Sequence, residues 1–153
     1  MHKEAPKLPE LDLSGVNDSR VWQALYRDYS FIVSTYLFED IHHNLLNTGE
    51  YGTGKNNVIP ANLAVPLKQT ADLVDLYPFL EYSSYALYNY KKKNPDGNLN
   101  IENLEAIRMF EGTPDENGFI LAHIGMVQFS ADMVKYTLDL LEAAERQDRK
   151  AFD

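Results

Sequence analysis

Between residues 22 and 45, apolar side chains recur at steps of three and four: Trp22, Tyr26, Tyr29, Val33, Leu37, Ile41 and Leu45. Such a stripe runs along one face of a helix about seven turns long, which must be laid against a core. Asn17 or Asp18 is placed to cap its start, and Asn47-Thr48-Gly49 to end it. A helix of this length in a chain of 153 residues makes the class mainly α. The spacing elsewhere agrees. A short helix is expected over Leu67 to Leu76, another over Phe79 to Lys92, and a third from Ile101 to Phe110 capped by Asn100. A last helix is expected to begin near Gly118 or Phe119, with no stop signal before Asp153. Asn94-Pro95-Asp96-Gly97 is a turn and Gly112-Thr113-Pro114-Asp115 a break. Residues 1–15, rich in Pro, Lys and Glu, read as an extended arm on a helical domain of residues 16–153. There is no internal repeat and no clean strand alternation.

Composition narrows the function classes. The net charge of −9 argues against a phosphate-backbone partner, because such affinity comes from Lys and Arg. The one basic run, Lys91-Lys92-Lys93, falls where a helix should end, and there it complements the helix dipole. No apolar run is long enough to span a membrane, the N-terminus has no apolar signal centre, and cysteine is absent. These features fit a cytoplasmic protein with no nucleic-acid or membrane partner.

Gly49-Glu50-Tyr51-Gly52-Thr53-Gly54-Lys55-Asn56 comes close to a phosphate-binding loop, but Asn56 stands where the Mg²⁺-binding hydroxyl belongs. A helix precedes it and Pro60 follows, so the strand–loop–helix context is missing too. His42 and His43 are adjacent and point about 100° apart on a helix, so they do not form an i,i+4 zinc pair. His123 sits in an apolar stretch and shares a helix face with Phe119, Met126 and Ser130. A lone histidine of this kind is more often a hydrogen-bonded core residue than a working group. Tyr82, Tyr85, Ala86 and Asn89, at i, i+3, i+4 and i+7, share another face, for which core packing is the simpler reading.

Three stretches add more: Asn57-Val58-Ile59-Pro60-Ala61-Asn62-Leu63-Ala64-Val65-Pro66, then Pro78 to Pro95 with Phe79-Leu80-Glu81-Tyr82 and Tyr88-Asn89-Tyr90, then Gly118 to Met126. In these the chain resembles the N-terminal, distal portion of the indoleamine 2,3-dioxygenase family. The resemblance runs from about Leu8 onward. It implies the helical N-terminal domain of a haem protein that opens the indole ring of tryptophan or a related indole with O₂, giving N-formylkynurenine. It implies Tyr82, Tyr85 and Ala86 as distal-pocket residues, with Phe119 against the substrate ring and Ile120 beside it. His123 falls where animal relatives have a small hydroxyl residue, and would be the catalytic group, hydrogen-bonding the indole N–H or the haem-bound O₂. The family's proximal haem ligand lies beyond this chain, which therefore holds no metal ligand of its own. On that reading the chain is inactive alone and pairs with a missing C-terminal half or with a second copy. The competing reading is a non-catalytic interaction or small-aromatic-binding module of the same descent.

Overall fold

The computed structural model describes residues 3–51 and 58–152, and their regular structure is mostly helix. Two compact units are formed, one from Met1–Asn89 with Arg108–Glu111 and the other from Tyr90–Ile107 with Gly112–Asp153.

The first unit is built on α1 (Ser19–Thr48) and α2 (Ala61–Val74). Asp18 caps α1 as expected, accepting from the Arg20 amide, and the Arg20 guanidinium holds its carboxyl down at about 2. Gly49 ends α1 at φ 74°, in the left-handed region where a Cβ is strained. The stripe is largely inward: Tyr26 and Val33 are buried, and Tyr29 and Leu37 pack beside them against Leu63, Leu67 and Ala71 of α2. The buried Arg27, Ser30 and Phe31 add a second inward face that the stripe omits. The N-terminal arm lies on this unit, with Ala5 in the core and its carbonyl and that of Leu8 accepting from Asn62 Nδ2 at 2.7 and 2.9 Å.

Helix α2 starts six residues earlier than the sequence suggested. Pro60 and Pro66 looked like loop boundaries, yet Pro60 is the N-cap and Pro66 is buried inside the helix. A proline there forfeits only the bond to the Asn62 carbonyl, and its packing offsets that. After α2 the chain turns at Tyr77–Phe79. The Tyr26 hydroxyl proton is shared between the carbonyls of Tyr77 and Phe79, at 2.7 and 2.8 Å.

Two expected helices are not formed. Phe79 to Lys92 contains a π-helical turn, Ser83–Leu87, and then strand β1, Tyr90–Lys92. Ile101 to Phe110 contains a 3₁₀ turn, Ile101–Asn103, and then strand β2, Leu104–Ala106. In the second unit β1 and β2 pair antiparallel, Tyr90 with Ala106, Lys91 with Glu105 and Lys92 with Leu104. Non-local pairing overrode helical spacing in strands too short to show alternation. Asn100 caps as expected, but only the 3₁₀ turn. The Asn94–Gly97 turn is present and is locked by Asn103, whose Nδ2 donates to the carbonyls of Asn94 and Asn98. Gly97 is required there, since a Cβ would lie 2.6 Å from Asn103 Nδ2. The three lysines thus do not end a helix. Lys91 pairs with Glu105 at 3.2 Å, while Lys92 and Lys93 donate to the carbonyls of Pro95 and Glu102.

Helix α3 (Pro114–Glu145) packs its N-terminal part on this hairpin, burying Ile120, Leu121 and Ile124. It starts before Gly118 because the supposed break is an N-cap. The Thr113 hydroxyl accepts from the Glu116 amide, with Pro114 in the first turn and Asp115 and Glu116 toward the dipole's positive end. It also stops, at Glu145: Gln147 adopts φ 54°, its amide bonds to the Ala144 carbonyl and that of Asp148 to the Ala143 carbonyl. This is a Schellman closure made by glutamine in place of glycine. A short α4 (Arg149–Phe152) follows. Between Met126 and Leu141 the charged residues of α3, with Gln128, fall on one stripe of Gln128, Asp132, Lys135 and Asp139, and Val127, Phe129, Met133, Val134, Tyr136, Leu138, Leu140 and Leu141 are exposed. Among the described residues no helix is long and apolar enough to cross a membrane.

Burial, aided by the Glu81 carboxylate, pushes the Tyr26 phenol up from 10.0 to about 12. Tyr26→Phe should cost about 1–3 kcal/mol at neutral pH, as the carbonyls of Tyr77 and Phe79 lose their donor. The raised folded-state value means this phenol's contribution is complete below about pH 10 and is lost as pH rises through about 12. Urea unfolding of both proteins from pH 8 to 12 should show the gap between them closing over that upper range.

Candidate functional site

In the first unit the π-helical turn is the centre of a polar and aromatic cluster. The Tyr88 amide reaches back five residues to the Ser83 carbonyl at 2.8 Å, so the turn is one residue wider than an α-turn. The helix-face reading of Tyr82, Tyr85, Ala86 and Asn89 fails as a result: Tyr82 is 52% exposed, Tyr85 is partly buried, and Ala86 and Asn89 are fully buried. Asn89 joins two chain segments. Its Nδ2 donates to the Tyr85 and Arg108 carbonyls at 2.9 and 2.7 Å, and its Oδ1 accepts from the Arg108 amide at 2.8 Å.

Around this pin, Asp28 of α1 bridges two guanidinium groups. One oxygen takes Arg108 at 2.6 Å, and the other takes the buried Arg27 at 2.9 Å. Arg27 also reaches the Tyr88 carbonyl at 3.4 Å. Segment 108–111 is thereby fixed to α1, which brings Phe110 onto Phe31. The centroids of Phe31 and Phe110 are 4.8 Å apart, those of Phe31 and Tyr85 5.8 Å, and those of Tyr85 and Phe110 6.1 Å. Each such ring pair is worth about 0.5–1.5 kcal/mol beyond its buried area. Phe110 also lines a cleft of about 260 Å³ with Ser34, Thr35, Phe38, His42 and Glu111. His42 lies 4.0 Å from Glu111, and His43 4.0 Å from Glu39, so the two histidines face different carboxylates.

In the second unit α3 carries Phe119, Ile120 and His123. Ile120 is fully buried, Phe119 is 51% exposed, and His123 is partly buried. The Phe119 and His123 rings stand 4.3 Å apart, tilted by 53°. His123 Nδ1 lies 2.6 Å from the Phe119 carbonyl oxygen. That oxygen can only accept, so Nδ1 carries a proton, and the tautomer that fits has its acceptor nitrogen at Nε2. Met126 is exposed on the same face, and Ser130 donates to the Val127 carbonyl. Among the described residues no group of three His, Asp or Glu side chains is placed to hold a metal ion. Most of the glycine loop, residues 52–57, lies outside the described residues.

The sequence reading missed Phe31, Phe110 and the Arg27–Asp28–Arg108 chain, and it placed Asn89 on a helix face without its bonds to Arg108. Their signal was weak, since Phe31 falls off the apolar stripe and the others bond across 19 to 80 residues.

Comparison with known proteins agrees with this helical framework. The family model for indoleamine 2,3-dioxygenase matches residues 1–153. Mouse indoleamine 2,3-dioxygenase 1 is 29% identical over 153 residues, covering all of this chain and 35% of the mouse protein. The rat protein of the same name is 30% identical over 154 residues with the same coverage. The indoleamine 2,3-dioxygenase of Saccharomyces cerevisiae is 28% identical over 145 residues, or 92% of this chain and 29% of its own length. The chain belongs to the indoleamine 2,3-dioxygenase family. It spans about a third of the length of these relatives.

Replacing Asn89 by Ala strips a donor from two part-buried carbonyls and an acceptor from the Arg108 amide. The expected loss is at least about 2 kcal/mol by chemical denaturation. Hydrogen exchange should show the Arg108 amide losing its protection. An unchanged midpoint with a still-protected amide would refute the role given to this side chain.

Proposed function

We propose that this chain forms the ligand-facing wall of a haem-dependent dioxygenase that opens the ring of tryptophan or a related indole. Family membership supports the reaction class, and the Phe119–His123 pair carries the assignment of roles. With Nδ1–H committed to the Phe119 carbonyl, neutral His123 offers a lone pair at Nε2. A lone pair suits the indole N–H, and it is unsuited to donating toward O₂. Of the two roles the resemblance allows, the geometry therefore favours orienting the indole through its N–H. Phe119 next to it supplies a partly exposed ring for the flat face of the substrate. The resemblance also gives distal-pocket roles to Ile120 beside Phe119 and, in the first unit, to Tyr82, Tyr85 and Ala86.

Haem, when bound, supplies the activation of O₂, and both oxygen atoms enter the product. The residues of this chain fit the wall of such a site: aromatic and apolar side chains beside one hydrogen-bond acceptor. The iron's axial ligand falls in this reading to the part of the fold that the relatives have and this chain does not span. That part, on the same polypeptide or another, would cover the bare apolar circumference of α3 between Met126 and Leu141. The second reading, an interaction or small-aromatic-binding module without catalysis, is favoured by the same uncovered surface.

Intact mass and absorbance before and after adding haem separate the two. A histidine-ligated Soret band, from this chain with its complement, supports the dioxygenase. A single species of this mass that takes up no haem supports the module. In the haem-loaded protein, His123→Ala should weaken indole binding roughly five- to tenfold, the worth of one hydrogen bond, with haem content unchanged. Loss of the fold in that variant would instead mark His123 as a packing residue.

A further inference from the structure

We propose that a second, smaller cleft in the first unit binds a neutral molecule with one flat apolar ring and one hydroxyl group, of which phenol is the simplest. The cleft measures about 110 Å³. It is lined by Gln23 and Tyr26 of α1, Val74 and Leu76 where α2 ends, and Ser84 and Tyr88 in and just after the π-helical turn. None of these residues is assigned to the haem pocket, so the site exists in the chain with or without haem. Its walls are fixed: the Tyr88 amide is held by the Ser83 carbonyl at 2.8 Å, and the Tyr88 carbonyl by Arg27 at 3.4 Å.

Ser84 is the residue that calls for a ligand. It is 2% exposed, and its hydroxyl has no hydrogen-bond partner among the described residues. The hydroxyls of Ser30, Thr35 and Thr70 in the same unit are spent on their own helices, on the carbonyls of Tyr26, Phe31 and Pro66 at 2.6, 2.9 and 2.7 Å. A buried hydroxyl left unpaired costs about 1–3 kcal/mol, so this one is satisfied by whatever fills the cleft. The Gln23 carboxamide, on an exposed residue at the mouth, adds a donor and an acceptor. The Tyr26 hydroxyl does not compete, because its proton goes to the Tyr77 and Phe79 carbonyls. No charged side chain is among the lining residues, which favours a neutral guest. Water alone suits the space poorly, since its polar partners stand beside Val74, Leu76 and the 59% exposed Tyr88. Cavities of about 150 Å³ take up benzene, so a single ring reaching past the mouth is of the right size.

The test is a heteronuclear NMR titration of the chain, without haem, with phenol and with toluene, in which a methyl group replaces the hydroxyl. Phenol should shift the Gln23, Ser84 and Tyr88 amides saturably. It should bind about five- to tenfold more tightly than toluene, the worth of one hydrogen bond. Ser84→Ala should erase that preference and leave toluene binding unchanged, and Gln23→Ala should reduce it in part. Shifts that never saturate would mean that the cleft holds only water, and would overturn the proposal. Equal binding of the two probes by wild type, or a preference that survives Ser84→Ala, would overturn it too. Saturable shifts at Phe119 and His123 with none at Ser84 would remove this site and leave the haem-pocket reading standing. Should Ser84→Ala fail to fold, the wild-type ratio and Gln23→Ala, at an exposed position, decide the outcome.

Discussion

The carboxamide of Asn89 is the contact on which the first unit's functional end depends. It is fully buried and makes three hydrogen bonds, all to main-chain atoms of Tyr85 and Arg108. A buried amide is tolerated only when satisfied, so its position is fixed to within hydrogen-bond tolerance. Everything beyond it inherits that precision. Arg108 is brought to Asp28, Phe110 is laid on Phe31, and Tyr85 is turned into the ring cluster. The chain leaves the first unit directly after Asn89, toward the β1–β2 hairpin, and re-enters it at Arg108.

Much of the fold was legible where local chemistry decides. The spacing from Trp22 to Leu45 and the Asp18 and Gly49 ends of α1 are local signals, and the structure follows them. The errors came where distant partners decide. Tyr88 to Lys93 reads as the end of a helix until Leu104–Ala106 arrives to pair with it. Pro66 reads as a boundary until α2 is seen to bury it. The end of α3 was invisible because a glutamine, which ordinarily avoids positive φ, makes the closure. At the site, His123 and Phe119 stood out by residue type and by resemblance. Phe31 and Phe110 did not, and Asn89 stood out only as part of a helix face, because nothing in a list of residues shows which distant groups meet.

Helix α3 has two characters along its length. Its first turns bury Ile120, Leu121 and Ile124 and present Phe119 with His123. From Met126 to Leu141 the charged residues are confined to one stripe, braced by the Lys135–Asp139 pair and followed by the Arg146–Glu142 pair. A helix apolar over most of its circumference is suited to being enclosed on several sides, whereas one packed on a single neighbour needs only a stripe. This accompanies a chain that spans about a third of its relatives' length.

The π-helical turn at Ser83–Leu87 is, in terms of chain length, a single extra residue held inside a helical turn. Deleting one residue there would let the segment relax to ordinary α-geometry at little local cost. The residues after it would keep their register, because the wide turn is what absorbs the extra residue. A deletion after the turn has no such slack, and Asn89 would be carried off Arg108. Loss of one residue should therefore be tolerated within Ser83–Leu87 and not at Tyr88 or Asn89.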